Sequence, residues 1–332
     1  MPNGARVKFC LLLLLWSVAL VAVTKWLTHC SQLVHLLPSD LSPLVTDPPL
    51  NGSRKEYNFL MEPSSCSAGD NLMVIFVMST SAQTDTRNVI RNTWASVMTA
   101  YGHKVIFVIA RTYVLVRLVN EQETNDDILL VQMRDKYDNL ILKVHSALEW
   151  ADQNCVGVRW VAKLDMDAFI NPWNFIHILG LYAQNETLEI LGHCRNNMKP
   201  IRKASNKWYV PLALYPDKFY PSYCFGTTYI IPYRSVAPML RLVDRLGMFT
   251  TIEDVYFTGI LAERLQVPRK ALHQVMPKER QCVCVVSTMS VHLYKSANLT
   301  YRLDKCWKRL INCQIDVRCK FNESKDMCDS FR

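Results

Sequence analysis

The chain carries the heptapeptide VAKLDMD at residues 161–167, which begins with apolar residues and ends in two aspartates. The pattern predicts a buried strand with Asp165 and Asp167 at its carboxyl end. Alternate side chains of an extended strand share one face, so both carboxylates are expected on one side, with Met166 on the other. Two adjacent carboxylates are costly unless a cation neutralises them. Mn²⁺ or Mg²⁺ does so and keeps coordination sites for phosphate oxygens, so the pattern favours a metal–diphosphate site, although Asp-x-Asp alone is common in loops.

Apolar strands alternate with helices around this heptapeptide. Strands are predicted at 72–78, 104–110, 127–133 and 158–165, and helices at 84–101, 113–123 and 137–153. Uniformly apolar strands that alternate with helices indicate a parallel sheet covered on both faces. Such sheets bind ligands beyond the carboxyl ends of their strands, where the two aspartates are expected. The less regular second half predicts helices at 173–184, 233–246 and 253–265, a short strand at 229–231, and then a mixture of strands and cysteine-held loops.

The N-terminal region predicts a membrane anchor. Residues 9–24 carry no charge, and basic residues flank them. We assign residues 1–8 to a cytosolic tail and residues 9–27 to a signal-anchor transmembrane helix, because the uncharged stretch is only a little shorter than the about 20 residues of an average span. The basic residues that precede it favour a lumenal location for the rest of the chain. A cleaved signal peptide is the alternative, and it would give a secreted, lectin-like chain that begins near residue 25.

The remaining chain divides into a stem and one large region. Residues 28–65 are rich in Pro, Ser, Asp and Leu and are assigned to a stem. Residues 66–332 are assigned to a lumenal catalytic domain. Sequons predict N-glycans at Asn51, Asn185, Asn298 and Asn322, of which some but not all are expected to be used.

Cysteine usage and charge agree with a lumenal protein. Of the 12 cysteines, all but Cys10 follow the apolar stretch, which leaves an odd number, 11, to pair in an oxidising compartment. Cys30 is the candidate for an interchain disulfide in a dimer or for a free thiol, and the other pairings stay open. The net charge of +9 is spread along the chain and would favour anionic nucleotide-sugars. A lumenal protein does not meet nucleic acid, so no nucleic-acid partner is predicted.

Six motifs, in order, resemble those of the inverting β-1,3-galactosyltransferases and β-1,3-N-acetylglucosaminyltransferases of the Golgi. They are FVMSTSAQTDTRNVIRNTW (76–94), DKYDNLILKV (135–144), WVAKLDMDAFIN (160–171), KWYVPLALYPDKFYPSYCFGTTYIIP (207–232), IEDVYFTGILAERL (252–265) and VHLY (291–294). The resemblance runs from about Cys66 to Trp307. It implies an α/β, GT-A-type, Rossmann-like nucleotide-diphospho-sugar transferase fold in a single-pass type II Golgi membrane protein.

The resemblance also implies a reaction. A UDP-sugar, carrying galactose or an N-acetylhexosamine, would donate its sugar to the 3-hydroxyl of an acceptor glycan on a glycoprotein or glycolipid, with inversion of the anomeric centre. A divalent metal, expected to be Mn²⁺, would act as a Lewis acid on the leaving UDP. A carboxylate would deprotonate the attacking hydroxyl.

Residue roles follow from the matched motifs. Asp165, Asp167 and His292 would hold the metal, and Asp165 would also contact the donor. Asp254 would be the catalytic base, near a helix start whose dipole favours the ionised carboxylate. The structural alternatives are a strand-end cap for Asp165, a core position for His292 and a helix cap for Asp254.

Further contacts are predicted for the two substrates. Arg87 and Arg91 lie at i and i+4 of one predicted helix and would contact the donor nucleotide, the alternative being a structural ion pair. The acceptor or donor sugar is assigned to Trp208, Tyr223, Gly226 and Glu253. Lys163, Asn139 and Lys143 are predicted to be structural.

Two departures from the family pattern keep a second hypothesis open. The usual Asp-Asp-Asp is Asp-Met-Asp here, and the usual Gly-x-Gly-Tyr is Gly-Thr-Thr-Tyr at 226–229. The alternative is therefore an inactive relative that assists folding or binds glycans without turnover. Retention of Asp165, Asp167, Asp254 and His292 favours an active enzyme.

Overall fold

The computed structural model describes residues 56–67, 72–184, 188–276, 288–293 and 298–315. The predicted tail, the anchor, most of the stem, Cys30, Asn51, Asn185 and Asn322 lie outside these ranges. Within the described ranges, no helix combines the length and the apolar character needed to cross a membrane.

The chain builds an eight-stranded mixed sheet and a three-stranded sheet. Strand order is β1-β4-β3-β2-β5-β8-β7-β9 in the large sheet and β10-β11-β6 in the small one. The strands are β1 (Phe59–Met61), β2 (Met73–Ser79), β3 (Lys104–Arg111), β4 (Ile128–Gln132), β5 (Trp160–Asp165), β6 (Ala168–Ile170), β7 (Ile190–Arg195), β8 (Tyr223–Pro232), β9 (Arg269–Ala271), β10 (Val275–Met276) and β11 (Ser290–His292).

Helices lie between and after these strands. They are α1 (Thr84–Arg91), α2 (Trp94–Ala100), α3 (Val116–Asn125), α4 (Leu140–Asn154), α5 (Pro172–Gln184), α6 (Val236–Leu246), a π-helix (Val255–Leu261) continued by α7 (Ala262–Arg264), and α8 (Leu299–Ile315), with 3₁₀ turns at Tyr137–Asn139 and Tyr233–Ser235. The predicted helix at 84–101 is interrupted at Thr93, whose hydroxyl donates 2.7 Å to the carbonyl oxygen of Val89.

The predicted parallel sheet is confirmed for β4, β3, β2 and β5, which are mutually parallel. The other half was not anticipated: β8 runs antiparallel to both β5 and β7. The strand predicted at 229–231 is in fact the ten-residue β8. It follows an irregular segment rather than a crossover helix, and so it can return antiparallel to its neighbours.

Both faces of the large sheet are covered, as expected for uniformly apolar strands. Alternate side chains of β2 enter opposite cores. Val74, Phe76 and Met78 enter the first core, and Met73, Ile75 and Val77 enter the second. The first core contacts α4, α6 and the π-helix, and the second contacts α1, α2, α5 and α8. Helix α8 was not predicted, although Leu303, Cys306 and Leu310 are buried at helical spacing.

Two disulfides and the first strand define the edges of the fold. Cys66 bonds to Cys155, and Cys194 bonds to Cys224 across β7 and β8. β1 lies inside the segment assigned to the stem and pairs antiparallel with β4. The folded region therefore begins before Cys66, because β1 supplies hydrogen-bonding partners to the edge of the sheet.

Candidate active site

Strands β5 and β8 meet the start of the π-helix at the carboxyl end of β5. Lys163 faces Tyr229, and Leu164 faces Thr228, in the β5–β8 register. Glu253 and Asp254 precede the π-helix, which packs against β8. This arrangement gathers Lys163, Gly226 and three carboxylates, those of Asp165, Glu253 and Asp254, where the carboxyl end of β5 pairs with β8. Single-turn π segments inside helices are frequent at functional sites.

Lys163 is the centre of this cluster, although it was predicted to be merely structural. Its side chain is 3% exposed, and its Nζ lies 2.7 Å from Asp165 Oδ1 and 2.8 Å from Glu253 Oε1. Nζ also donates to the carbonyl oxygen of Gly226. Burial by itself would lower the pKa of Lys163, but Asp165 and Glu253 outweigh burial and raise that pKa above its ordinary value. The lysine therefore stays charged and ties β5 to both β8 and the Glu253 segment.

Glu253 is buried between Lys163 and Tyr229. The Tyr229 hydroxyl donates 2.9 Å to Glu253 Oε2. Burial raises the pKa of Glu253 to about 7, even though the charge of Lys163 opposes that shift. Glu253 was predicted to contact a sugar. Its carboxyl group is instead enclosed by protein groups and contacts Lys163 and Tyr229.

Asp254 holds the position expected of both a helix cap and a base. Its Oδ1 accepts from the Val255 N–H over 2.9 Å, and its Oδ2 accepts from the Gly226 N–H over 2.8 Å. Each carboxylate oxygen has a second lone pair, so these bonds leave acceptor capacity. Burial raises the pKa of Asp254, opposed by the Gly226 hydrogen bond and by Lys163. The residue as a whole is half-buried.

The Asp-Met-Asp segment differs from the prediction in its backbone. Met166 and Asp167 form a turn between β5 and β6, and these two strands belong to different sheets. The expectation of one extended strand with both aspartates on one face is therefore wrong: the turn redirects Asp167 while Asp165 ends β5. Met166 is buried in the second core, as expected for a side chain that points away from the site.

Asp167 is brought together with His292 by the small sheet. β6 and β11 pair so that Ala168 faces His292, and Asp167 Oδ2 lies 3.3 Å from His292 Nε2. Asp165 belongs instead to the Lys163 cluster. Among the described residues, no group of three or more His, Cys, Asp or Glu side chains is arranged to hold a metal ion. The predicted three-ligand set is thus reduced to one pair, Asp167 and His292.

This pair has the spacing of two adjacent metal ligands. Cis ligands of an octahedral cation at about 2.1 Å are about 3.0 Å apart, close to the observed separation. One carboxylate and one imidazole suit Mn²⁺ better than Mg²⁺. The residues present therefore fit a cation that takes its remaining ligands from phosphate oxygens and water.

Arg87 and Arg91 occupy structural positions. The fully buried Arg87 guanidinium donates to Glu121, Ser79, Thr84 and the carbonyl oxygen of Thr80. Arg91 pairs with Glu121 and Asp127 at 2.7 Å each and donates to Asn88. Their donors are engaged with protein acceptors, so the alternative of structural ion pairs describes them, and nucleotide contact gains no support here.

Of the predicted sugar contacts, Trp208 presents an accessible aromatic face. It is 44% exposed, and its Nε1–H donates 2.8 Å to the hydroxyl of Tyr137, which is equally exposed. The Lys207 ammonium lies 4.2 Å from the Trp208 ring centroid. Sequence reasoning missed Tyr137; its place in the DKYDNL motif was the available signal. Partial burial raises the pKa of Tyr137 to about 12, and the charges of Asp254, Glu253 and Asp165 contribute to that shift.

Tyr223 and Gly226 shape the site from within. Tyr223 is 8% exposed and packs against Tyr220 and Phe225, so its ring is chiefly a packing element. A Cβ added at Gly226 would lie 2.7 Å from Glu253 Oε1 and 3.3 Å from Lys163 Nζ. Only glycine fits this close approach of backbone to charged side chains.

Among the predicted sequons, the described Asn298 is exposed just before α8.

Comparison with known proteins decides the family. The family model described as galactosyltransferase matches residues 85–273, which include the Lys163 cluster and Asp254. The chain belongs to the galactosyltransferase family. This family member is 31% identical over 229 residues to β-1,3-galactosyltransferase 1 of Mus musculus and of Homo sapiens, covering 66% of this chain and 68% of each relative. It is also 31% identical over 226 residues to β-1,3-galactosyltransferase 5 of Pan troglodytes, covering 66% of this chain and 75% of that relative.

As a member of this family, the protein is a glycosyltransferase, which confirms the prediction from the motifs. A solved glycosyltransferase involved in the glycosylation of a major capsid also aligns, with a TM-score of 0.41 and 9% identity over 72% of this chain and 99% of its own. The mixed α/β fold with a central sheet rests on the strands and helices described above.

Proposed function

We propose that this protein is a β-1,3-hexosyltransferase that transfers galactose or an N-acetylhexosamine from a UDP-sugar to the 3-hydroxyl of an acceptor glycan, with inversion. The observation that supports it most strongly is the hydrogen bond of the half-buried Asp254 to the Gly226 N–H of β8, the strand that pairs with β5, in a galactosyltransferase-family chain. The curated relatives are named β-1,3-galactosyltransferases, in line with this linkage.

The reaction is a single displacement. Asp254 accepts the proton of the acceptor hydroxyl, and the oxygen forms a bond to the anomeric carbon of the donor. The bond from that carbon to the diphosphate breaks on the opposite face, and UDP leaves with the electron pair. The Gly226 N–H and the Val255 N–H hold the Asp254 carboxylate in place, and its remaining lone pairs would accept the proton of the hydroxyl.

Asp167 and His292 would hold a divalent cation, Mn²⁺ in our proposal, that neutralises the departing diphosphate when bound. Asp165 lies at the end of β5, where its second oxygen is available to the donor while Lys163 holds the first. Trp208 offers an aromatic face to the acceptor sugar. We further propose that the catalytic region, assigned to residues 66–332, faces the Golgi lumen behind the anchor at residues 9–27.

The competing hypothesis is a relative that binds glycans or assists folding without turnover. Protein donors already engage Asp165, Glu253 and Asp254, and this is the observation that favours it. The test is to incubate the purified full-length protein in detergent with each of several UDP-sugars and terminal-sugar acceptors, with and without Mn²⁺. Formation of a β-1,3-linked product, identified by NMR, supports the enzyme. Glycan binding without product or UDP release would establish the competing hypothesis.

A further inference from the structure

The hydroxyl of Thr258 joins the backbone of the candidate base to the large sheet. Thr258 is fully buried in the π-helix. Its Oγ1 donates to the carbonyl oxygen of Asp254 over 2.6 Å and accepts a 2.9 Å hydrogen bond from the backbone N–H of Cys224 in β8. The carbonyl oxygen of Cys224 lies 3.1 Å from the same hydroxyl. Because a hydroxyl has a single proton, the shorter contact, to Asp254, is its main donation.

The same strand also holds the side chain of Asp254. Gly226, two residues after Cys224, donates its N–H to Asp254 Oδ2 over 2.8 Å. β8 therefore holds Asp254 at two points, its carbonyl oxygen through Thr258 and its carboxylate through Gly226. Two points of attachment fix the orientation of a group as well as its position, and orientation is what a general base requires.

The strand end of this junction is itself held firmly. Gly259 follows Thr258, and a Cβ added there would lie 3.0 Å from Tyr223 Cβ, so the π-helix and β8 are in close contact. Cys224 is bonded through its disulfide to Cys194 of β7. The Thr258 hydroxyl therefore ties Asp254 to a part of the sheet that cannot shift easily.

The strand contact distinguishes Thr258 from an ordinary helical threonine. A bond from a threonine hydroxyl to the carbonyl four residues earlier is a common local pattern in helices and has no functional meaning by itself. Thr124 in α3 makes such a bond to the Asn120 carbonyl oxygen, over 2.8 Å, from an exposed position. Thr258 makes the same bond in the protein interior and also accepts from a neighbouring strand.

We propose that Thr258 is a positioning residue for the transfer reaction: its hydroxyl holds the backbone of Asp254 against β8, where the Gly226 N–H orients the carboxylate. Because Thr258 is fully buried, it acts through Asp254 and not on a substrate. The inference rests on the proposed hexosyltransferase function, with Asp254 as its base.

Two substitutions test the hydroxyl in the full-length protein. Thr258→Val removes the hydroxyl and keeps the size of the side chain, whereas Thr258→Ser keeps the hydroxyl. We expect Thr258→Val to lower kcat about tenfold, the equivalent of one hydrogen bond, and to leave the KM for the UDP-sugar unchanged. Thr258→Ser should stay close to the wild type. Steady-state kinetics are measured at a temperature at which circular dichroism shows every variant to be folded.

The pH dependence of kcat/KM separates positioning from stability. Burial raises the pKa of Asp254, and the Gly226 hydrogen bond opposes that shift. Thr258→Val should weaken this bond and raise the pKa further, so the acidic limb of the profile should move to higher pH. The charges of Lys163 and Asp165, which also act on this carboxyl group, are the same in every variant. A threonine that served stability alone would leave the limb in place.

Thr124→Val is the matched control, because it removes a hydroxyl bond of the same helical type from an exposed position. It should change neither kcat nor the acidic limb. If Thr258→Val does not fold, Thr258→Ser and Thr258→Ala give the same comparison without the methyl group.

Two results would overturn the positioning role and leave the transfer reaction intact. One is an unchanged kcat and acidic limb in folded Thr258→Val, and the other is an equal loss of kcat in Thr258→Ser and Thr258→Ala. Absence of transfer by the wild-type protein to every acceptor would instead eliminate the proposed function, and the positioning role with it.

Discussion

The Gly226 N–H donates a 2.8 Å hydrogen bond to Asp254 Oδ2, while the carbonyl of the same glycine accepts from Lys163. One residue of β8 thus links the candidate base to the lysine that pairs with Asp165 and Glu253. Because the two strands and the π-helix meet through the backbone of Gly226, small changes there should alter both stability and catalysis.

Gly226→Ala should impair the protein in both respects. Its Cβ would meet Glu253 Oε1 at 2.7 Å, and Lys163 holds that oxygen in place, so it cannot move freely. We expect a loss of about 1–3 kcal/mol in the free energy of unfolding and a fall in kcat. Chemical denaturation and steady-state kinetics measure the two effects.

Gly180→Ala is the matched control. Nothing lies within 4 Å of a Cβ added at this position in α5. It should be neutral or stabilise by about 0.5–1 kcal/mol. If the two variants behaved alike, the close packing at Gly226 would be refuted.

Lys163→Met should destabilise the fold by about 3–5 kcal/mol, because it removes the cation that pairs with the buried Glu253 and with Asp165. The double variant Lys163→Met/Glu253→Gln should recover part of that loss, since the amide carries no charge. Urea denaturation of the two single variants and the double variant gives the coupling energy. Strict additivity would show that the two side chains act independently.

Asp254→Asn should lower kcat by roughly 10²–10⁴-fold, as expected for removal of a general base. The KM for the UDP-sugar should change little, because Asp254 acts on the acceptor. Asp304→Asn is the control: it removes a carboxylate from a solvent-exposed i,i+4 pair with Lys308, far along the chain from the site. Near-normal turnover in Asp254→Asn would exclude this residue as the base.

Chelation by EDTA should abolish transfer, and Mn²⁺ should restore it better than Mg²⁺. Asp167→Ala and His292→Ala should each raise the Mn²⁺ concentration required for half-maximal activity by about 10–100-fold, a shift that titration of activity with Mn²⁺ would detect. His273→Ala removes a histidine outside the Asp167 pair and should leave this requirement unchanged. Full activity in EDTA would contradict the metal assignment.

The pH dependence of stability should carry the signature of Glu253. Burial raises its pKa to about 7, above the ordinary value of 4.5. Between these two values the folded protein holds a proton that the unfolded chain has lost, so stability falls as the pH rises from about 4.5 to 7. Glu253→Gln should lack this contribution. The unfolding free energy of the wild type minus that of the variant should therefore decrease as the pH rises across that interval. A flat difference from pH 4.5 to 8 would contradict the raised pKa.

Local sequence patterns determined most of the first half of the fold. The apolar runs of β2, β3, β4 and β5 can be recognised in the sequence, because strands covered on both faces are apolar throughout. Motif order likewise identified the family and singled out Asp254, Asp167 and His292. The missed elements were those whose signal is weaker, such as α8, where buried side chains alternate with many charged residues.

Tertiary structure decided which of the charged residues act together. Asp165 and Asp167 are two positions apart in sequence, yet Asp165 ends β5 while Asp167 lies in the turn that follows, and they contact different partners, Lys163 and His292. Conversely, Lys163, Gly226 and Glu253 are distant in sequence and meet because β8 returns antiparallel to β5. Periodicity reports which face of an element is buried, because burial depends on the element's own apolar side chains. Pairing between charges depends on strand order and register, which are set by contacts between distant segments.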